Sequence, residues 1–370
     1  WPPRAWPGAA GAMALLWILA VAQSLAAPAG SRAILPLDFS IRHWTSHAGV
    51  SLRSVEAILQ TRDGYLWLGM NDGLCRFDGV QFQMFEPRNT PALPMGYVTC
   101  LAEDPNGALW IGTAGGGLVR WQAGAFTVEN ATHGLANEQL KALFLARDGR
   151  LWIGTDGGGV FVRHRDGTYD QYGSESGLTE PFITGITEDD RGRVVAAGFR
   201  QGPFLFENGR FRPVPLDPPP AQPGAYGLTR SPAGRVWLGT SSGVYSLQES
   251  RFVKWTTHGL PSSSEPLVAW ETEENHVWLG TVSGLARWNH GEWATYPARG
   301  ATSPRFAAAF TIDREGSVWT TTEGGGLVQL RRTLFATLGA PEGLAGNEVT
   351  SVIEARNGAI WVASTEGVNR

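Results

Sequence analysis

A tryptophan recurs about every 42 residues along most of the chain, and this repeat restricts the possible folds more than any other feature. Each copy reads approximately Asp-x-x-Gly-x-Leu/Val-Trp-Leu/Ile-Gly-Thr-x-x-Gly-Gly-Leu/Val. The repeated residues are Trp67, Trp110, Trp152, Trp237, Trp278, Trp319 and Trp361, with Val195 at the equivalent position of the fourth copy. Repeats of about 40 to 50 residues built from short strand patterns are typical of propeller blades.

Each copy predicts four short strands and no helix. In the second copy, the apolar runs 98–102, 108–113 and 118–121 are separated by glycine-containing turns, and a fourth strand follows Gly124. Because side chains alternate along a strand, the repeated tryptophan points to one face of its sheet, where we expect it to form the blade core against the next blade. The chain is therefore predicted to be all-β, a seven-bladed β-propeller of four-stranded antiparallel blades.

The two ends of the repeat predict how the ring closes. Residues 39–45 resemble an isolated fourth strand, which we expect to complete the last blade and remove its open edge. The seventh copy lacks the third-hairpin glycine near Arg331. The propeller is therefore predicted over residues 36–333, with residues 334–370 as the first strands of a second, truncated propeller. A single eight-bladed ring is the alternative.

Composition excludes several classes of protein. The chain is 42% apolar and 17% charged, with a net charge of -4 and two cysteines. These values exclude a disordered chain, a basic nucleic-acid surface and a disulfide framework. Cys75 and Cys100 are predicted to be two buried free thiols, with a bond between them as the alternative in an oxidising compartment.

Residues 1–29 are predicted to be a leader and secretory signal peptide. An apolar run follows Met13, and small residues precede a cleavage site after Ala26. The run is shorter than the roughly 20 residues that span a bilayer. An upstream translated leader or an uncleaved anchor is the alternative. The remainder is predicted to be periplasmic or otherwise extracytoplasmic.

With these residues described, the repeat can be compared with a known family. The segment 103–118, Glu-Asp-Pro-Asn-Gly-Ala-Leu-Trp-Ile-Gly-Thr-Ala-Gly-Gly-Gly-Leu, resembles the two-component regulator propeller repeat, as does 61–79. The resemblance covers roughly residues 36–370. It implies a sensor region outside the inner membrane, followed by a transmembrane helix and a cytoplasmic histidine kinase or, alternatively, a diguanylate cyclase. It also implies a homodimeric, membrane-anchored receptor whose output domain follows this segment.

We predict no catalytic residues, metal site or cofactor in this segment. The seven histidines lack metal-ligand spacing, and no nucleophile elbow occurs. The repeated acids are expected to open turns by accepting backbone N–H groups; they are Asp63, Asp104, Asp148, Asp190 and Asp313. A secreted propeller hydrolase or lyase acting on a polysaccharide or small molecule is the alternative, since two suitably spaced carboxylates would suffice.

Strand direction predicts the face on which a ligand binds. Loops from second to third strands, and from a fourth strand to the next first strand, emerge on one face, here named the loop face. The opposite face carries short turns and is named the turn face. Loops on a rigid scaffold often carry recognition, so a polar small molecule or oligosaccharide is expected at the loop face. The candidate ligand-binding residues are Arg88, Tyr97, His133, Glu138, Asp156, Glu180, Arg200, Tyr226, His258 and Glu323.

The fourth copy departs from the pattern, because Val195 replaces the tryptophan and Arg200 follows in the next loop. A smaller core side chain predicts either a pocket at this blade or a local repacking of its neighbours.

Overall fold

The computed structural model describes residues 39–370 except 48–49, 53, 95, 223, 257–265, 273–275, 282–283, 290, 298–305, 323–325, 333–337 and 341–342. The described residues all lie in one compact unit, Leu35–Arg370. The predicted leader and signal peptide, residues 1–29, lie outside them.

The described residues form strands and two short 3-10 helices, Ala131–His133 and Ser174–Ser176. Two small strands near the start pair with each other, β2 (Ser46–His47) and β3 (Val50–Ser51). Sheet 1 contains β4 (Val55–Gln60), β5 (Leu66–Met70), β6 (Gly73–Phe77) and β7 (Phe82–Phe85). Sheet 2 contains β8 (Val98–Glu103), β9 (Leu109–Thr113), β10 (Leu118–Gln122) and β11 (Ala125–Glu129). Sheet 3 contains β12 (Leu140–Leu145), β13 (Leu151–Thr155), β14 (Val160–Arg163) and β15 (Tyr169–Tyr172).

The next sheets repeat this order. Sheet 4 contains β16 (Ile183–Glu188), β17 (Val194–Gly198), β18 (Gly202–Glu207) and β19 (Arg210–Pro213). Sheet 5 contains β20 (Leu216–Asp217), β21 (Ala225–Arg230), β22 (Val236–Thr240), β23 (Gly243–Gln248) and β24 (Arg251–Lys254). Sheet 6 contains β25 (Pro266–Glu271), β26 (Val277–Thr281), β27 (Gly284–Asn289) and β28 (Glu292–Pro297).

Sheet 7 takes its fourth strand from the beginning of the described chain. It contains β29 (Phe306–Ile312), β30 (Val318–Thr322), β31 (Gly326–Arg332) and β1 (Phe39–Trp44). β1 runs antiparallel to β31, from Phe39 opposite Arg332 to Trp44 opposite Leu327. The N-terminal strand therefore completes this sheet, as the sequence predicts. A further three-stranded sheet contains β32 (Val349–Glu354), β33 (Ile360–Ser364) and β34 (Gly367–Asn369).

Neighbouring sheets pack through their first strands. β4 contacts β8, β8 contacts β12, and the series continues through β16, β21, β25 and β29, which contacts β4. The prediction of an all-β chain with four-stranded antiparallel sheets is therefore confirmed for the described residues.

The repeated tryptophans fill the spaces between consecutive sheets. Trp67 is fully buried, and its ring centroid lies 5.0 Å from that of Trp121 in sheet 2. Trp152 meets Phe206 of sheet 4 at 4.9 Å in an edge-to-face contact. The predicted core position is thus observed for every repeated tryptophan except Trp361, which is 41% exposed because its three-stranded sheet leaves that side chain uncovered.

The preceding turn supplies a partner for the indole N–H of Trp67, Trp110 and Trp319. Trp237 Nε1 donates to Glu271 Oε2 of the next sheet instead, and Trp152 Nε1 has no hydrogen-bond partner among the described residues. Trp110 Nε1 donates to Asp104 Oδ2 at 3.2 Å, and Trp319 Nε1 donates to Asp313 Oδ2 at 2.7 Å. Because a buried N–H without a partner costs free energy, a turn residue that accepts this bond also stabilises the tryptophan in the core.

The predicted turn-opening role holds for Asp104 and Asp313 but is wrong for Asp190. In the fourth sheet, Asp189 accepts the backbone N–H groups of Arg191 and Arg193 at 3.0 and 2.8 Å and is 2% exposed. Asp190, one residue later, is exposed. The repeat motif itself distinguishes the two aspartates, because Asp189 and Gly192 have the Asp-x-x-Gly spacing of Asp104 and Gly107. Asp63 and Asp148 lie two residues after the opening position, where each accepts a local backbone N–H.

Val195 is accommodated by repacking. It is fully buried in a cluster with Tyr245 and Phe252 of sheet 5. Tyr245 is 1% exposed and donates its hydroxyl to the Pro218 carbonyl at 3.2 Å. A large aromatic residue on the facing sheet thus fills the volume that tryptophan fills elsewhere.

Both cysteines are free and buried, in agreement with the favoured prediction. They belong to different core clusters. Burial raises the pKa of both the Cys75 and the Cys100 thiol to about 12, so both are protonated at neutral pH.

At two described junctions, the backbone N–H of an arginine in the turn between first and second strands donates to a carboxylate of the next sheet. Arg62 N–H donates to the Glu103 carboxylate at 3.1 Å, and its guanidinium donates to the Asp104 and Pro105 carbonyls. Arg147 N–H donates to Glu188 at 3.1 Å. We name this arrangement the turn latch.

Candidate functional site

Hydrogen bonds between loops place both loop types on the same face. The amide of Gly115, in a second-to-third hairpin, donates to the Glu138 carbonyl at 2.8 Å, in the loop that enters β12. Gly157 donates to the Pro181 carbonyl at 3.0 Å in the same manner. The prediction of a shared loop face is therefore confirmed where these loops are described.

A β-bulge recurs at the loop-face end of the first strand in sheets 1 to 6. The register shifts between the first and third residues of β4, β8, β12, β16, β21 and β25, so the second residue has no partner on the adjacent strand. The bulge residues are Glu56, Thr99, Lys141, Thr184, Tyr226 and Leu267. Bulges commonly redirect side chains at the rims of closed sheets and beside functional sites. We name this set the bulge ring.

Two members of the bulge ring are structural. The Thr99 hydroxyl donates to the Leu140 carbonyl at 2.7 Å, and the Thr184 hydroxyl donates to the Ala225 carbonyl at 3.2 Å. Each bond joins the first strands of consecutive sheets. These threonines therefore hold the ring together at the face where the other members are displayed.

Among the bulge-ring members whose side chains the structure describes, Lys141 and Tyr226 are exposed. Tyr226 is 51% exposed on β21. Lys141 Nζ lies 3.8 Å from Asp156 Oδ2, which belongs to the second-to-third hairpin of the same sheet. The Lys141 and Asp156 side chains are 38% and 43% exposed, so this ion pair contributes little to stability and leaves both groups accessible to a polar ligand.

Tyr97 lies beside the bulge ring. Burial and the charge of Glu56 raise the pKa of the Tyr97 phenol, which keeps it a neutral hydrogen-bonding group. Arg200 stacks over the ring of Phe182 at 4.8 Å, and Phe182 pairs with Asp156 across an isolated bridge. Of the predicted residues, Tyr97, Asp156, Arg200 and Tyr226 thus lie near the bulge ring.

The other described candidates bind their own loops. Arg88 pairs with Glu86 at 2.7 Å. His133 caps the 3-10 helix through Asn130, and Glu138 accepts the Ala131 amide at 3.0 Å.

Glu180 has a different environment from the one expected of a ligand contact. It is 1% exposed, and its carboxylate accepts the amides of Phe182, Arg200 and Gln201 at 3.1, 2.8 and 3.0 Å. It therefore fixes the hairpin that carries Arg200. His258 and Glu323 lie outside the described residues.

Sequence reasoning missed Glu56 and Lys141. The signal was available, because both occupy the second position of an apolar first strand, where a charged side chain is unexpected. Together with Asp156, Tyr97 and Tyr226 they offer an ammonium, carboxylates and phenols to a hydroxyl-rich ligand. Among the described residues, no group of three His, Cys, Asp or Glu side chains is placed to hold a metal ion.

The turn face is less uniform than predicted. A cavity of about 650 Å³ is lined there by Trp270, Glu271, Phe310 and Arg314. Trp270 and Phe310 stack with ring centroids 4.3 Å apart and form its apolar wall.

Comparison with solved structures identifies the fold. The extracellular domain of a protein named as the hybrid two-component system BT3049 from B. thetaiotaomicron matches with a TM-score of 0.67 and 16% identity, over 89% of this chain and 53% of that one. The corresponding domain of BT4673 from the same organism matches with a TM-score of 0.65 and 18% identity, over 90% of this chain and 45% of that one. The chain thus spans about half the length of these structures. Streptogramin B lyase matches with a TM-score of 0.64 and 16% identity, over 82% of this chain and all of that one.

No curated protein matches the chain. In the part of the chain that the structure describes, no helix has the length and apolar character needed to cross a membrane. A family model described as "Two component regulator propeller" matches residues 92–115 and 134–157. These two segments run from the loops that enter β8 and β12 to the first residues of the second-to-third hairpins of sheets 2 and 3. Two segments of the chain therefore match the two-component regulator propeller repeat.

Proposed function

We propose that residues 39–332 form one seven-bladed propeller, and that its bulge ring binds a polar ligand, such as an oligosaccharide, for a membrane-bound two-component receptor. The single observation that carries the proposal is the recurrence of the bulge. It presents a different side chain at the same place in successive sheets, on the face that also carries the longer loops.

The pairing of β1 with β31 and the contact of β29 with β4 support a ring of seven. An eight-bladed ring would require the three-stranded sheet to intervene between sheets 7 and 1. That sheet repeats the blade pattern, and we propose that it begins a second propeller. This arrangement agrees with a chain that spans about half of the BT3049 and BT4673 domains.

The ligand would act by differential affinity and without chemistry in this segment. A ligand held between Lys141 on β12 and Tyr226 on β21 would favour one arrangement of the receptor dimer over another. We assign transmission to a histidine kinase elsewhere in the full-length protein, and the propeller to the periplasm.

The test is calorimetric titration of the full chain with defined oligosaccharides. The affinities of variants at the two lysines of the sequence are compared. Lys141→Ala and Tyr226→Ala should each raise Kd about tenfold, as expected for losing a polar contact to a bound ligand. Lys254→Ala is the matched control, because Lys254 is exposed on β24 outside the bulge ring. Equal affinities for wild type, Lys141→Ala and Tyr226→Ala would contradict the proposed site.

A propeller lyase is the second candidate, supported by the similarity to streptogramin B lyase over its whole length. A further match, to virginiamycin B lyase from Staphylococcus aureus, includes an inactive histidine variant with quinupristin. Turnover of quinupristin by this chain, lost in Asp156→Asn, would favour the lyase over the sensor.

A further inference from the structure

The junction between sheets 2 and 3 lacks the turn latch. At the latch positions it has Pro105 and Leu145, where the preceding junction has Arg62 and Glu103. Proline has no backbone N–H to donate, and leucine offers no acceptor. The bond from a turn amide to a carboxylate that joins other sheets is therefore missing at this junction.

A cavity of about 540 Å³ occupies this junction. Its lining includes Pro105 and Leu145 together with three arginines, Arg120, Arg163 and Arg165, and two acids, Asp104 and Glu129. The cavity thus lies where the latch is missing, and guanidinium groups outnumber carboxylates around it.

Both acids are already engaged by protein groups. Asp104 accepts Trp110 Nε1 at 3.2 Å and the backbone amides of Asn106 and Ala108. Glu129 receives both guanidinium nitrogens of Arg163, at 2.6 and 2.7 Å, and the Tyr169 hydroxyl at 2.5 Å. Burial opposes ionisation of Glu129, but the Arg163 and Tyr169 hydrogen bonds keep its pKa below the ordinary value. Glu129 is therefore the fixed counterion of Arg163.

Arg120 and Arg165 have no carboxylate partner of this kind. Arg120 donates to the neutral amide of Gln122. Arg165 is exposed and makes no hydrogen bond or ion pair with any described residue. Burial raises the pKa of Asp148, but the hydrogen bonds and charge of Arg150, together with the charge of Arg165, lower it below the ordinary value. Gly149 keeps space open beside Arg165, since a Cβ there would lie 2.4 Å from Arg165 Nε.

We propose that this cavity binds a small oxyanion through Arg120 and Arg165, with the Arg163–Glu129 pair as its fixed wall. Two guanidinium groups facing one cavity match the planar, charge-assisted recognition of phosphate, sulfate or carboxylate oxygens. The site is distinct from the bulge ring, because it lies at the turn-face end of two adjacent sheets.

Phosphate is the first probe, titrated calorimetrically into the purified full chain at low ionic strength. Arg165→Gln and Arg120→Gln should each raise the Kd for phosphate about tenfold. Arg212→Gln, an exposed arginine of β19 with no described hydrogen bond, should leave it unchanged. Parallel titrations with sulfate and acetate distinguish a tetrahedral oxyanion from a carboxylate. Absence of binding by all three anions, or equal Kd values for the Arg165 and Arg212 variants, would overturn the proposal.

A crystallographic measurement of where the anion binds tests the site in the wild-type chain, independently of how well the variants fold. Crystals soaked in selenate should show anomalous density between Arg120 and Arg165 in wild type and none there in Arg165→Gln. Selenate bound elsewhere, with this cavity empty, would contradict the assignment.

Discussion

The backbone N–H of Arg314 donates to Gln60 Oε1 at 2.9 Å and so joins sheet 7 to sheet 1. The Arg314 guanidinium also donates to the Thr61 carbonyl at 3.4 Å. This is the turn latch of Arg62 with Glu103, with an amide oxygen in place of the carboxylate. The junction that closes the ring is therefore built like an internal one.

Removing the acceptor should weaken this junction. Gln60→Ala should lower the free energy of unfolding by about 1 kcal/mol, because Arg314 loses a protein hydrogen bond. Urea unfolding measures the change, with Gln81→Ala as control because its exposed side chain bonds to no described group. Equal effects of the two substitutions would show that the latch does not hold sheet 7 to sheet 1.

Adjacent aspartates in sheet 4 should differ greatly in their contribution to stability. Asp189→Asn removes a buried charge that pairs with Arg193 Nε at 2.7 Å, and it should cost about 2 to 3 kcal/mol. Asp190→Asn should change stability by less than about 0.5 kcal/mol, because the side chain is exposed. Urea unfolding of both variants measures these changes in stability. A larger loss of stability for Asp190→Asn would show that Asp189 is not the residue that opens the turn.

The period of the tryptophans predicts the sheets, their order and the closing role of β1, because repeat length and side-chain alternation are read directly from the chain. The Asp-x-x-Gly spacing likewise selects Asp189 over Asp190. The packing of Val195 against Tyr245 is different, because it depends on which side chains of the facing sheet reach that position.

Val195 and Tyr245 should behave as a compensating pair. Val195→Trp should cost about 1 to 3 kcal/mol through overpacking, and Tyr245→Val should cost roughly 3 kcal/mol through the cavity that it leaves. The double variant should be at least about 1 kcal/mol more stable than the sum of the two single losses predicts. Strict additivity in a double-mutant cycle would mean that the two side chains do not share one volume.

The buried thiols should make stability fall in alkaline solution. Burial raises the pKa of Cys75 and of Cys100 to about 12 in the folded chain, whereas the ordinary pKa of a cysteine thiol is 9.0. Above pH 9 the unfolded state loses protons that the folded state keeps, so the free energy of unfolding decreases as pH rises from 9 towards 12.

Urea unfolding between pH 8 and 10.5 measures this decrease. The Cys75→Val/Cys100→Val variant should show a shallower decline than wild type, since its tyrosines remain but its thiols do not. The wild-type thiols should also resist a thiol reagent at pH 8 until the chain unfolds. An identical pH slope in the two proteins would show that thiol ionisation is not linked to unfolding.

The candidate site was less predictable than the fold. Tyr97, Asp156 and Tyr226 follow from the position of loops and strand ends, whereas Lys141 and Glu56 depend on a bulge that shifts one residue out of the ladder. Glu180 illustrates the opposite difficulty, because a loop carboxylate that looks available in sequence is bound to three amides in the structure.

Closure of the ring by β1 is the central claim, and a disulfide between its edge and β31 tests it most directly. Ser40 pairs with Arg331 across these antiparallel strands, at a separation that suits a disulfide. In the Ser40→Cys/Arg331→Cys variant, mild oxidation should form an intramolecular bond that nonreducing gel electrophoresis and mass spectrometry detect. Two reduced thiols at these positions, or only intermolecular dimers, would contradict a ring closed by its N-terminal strand.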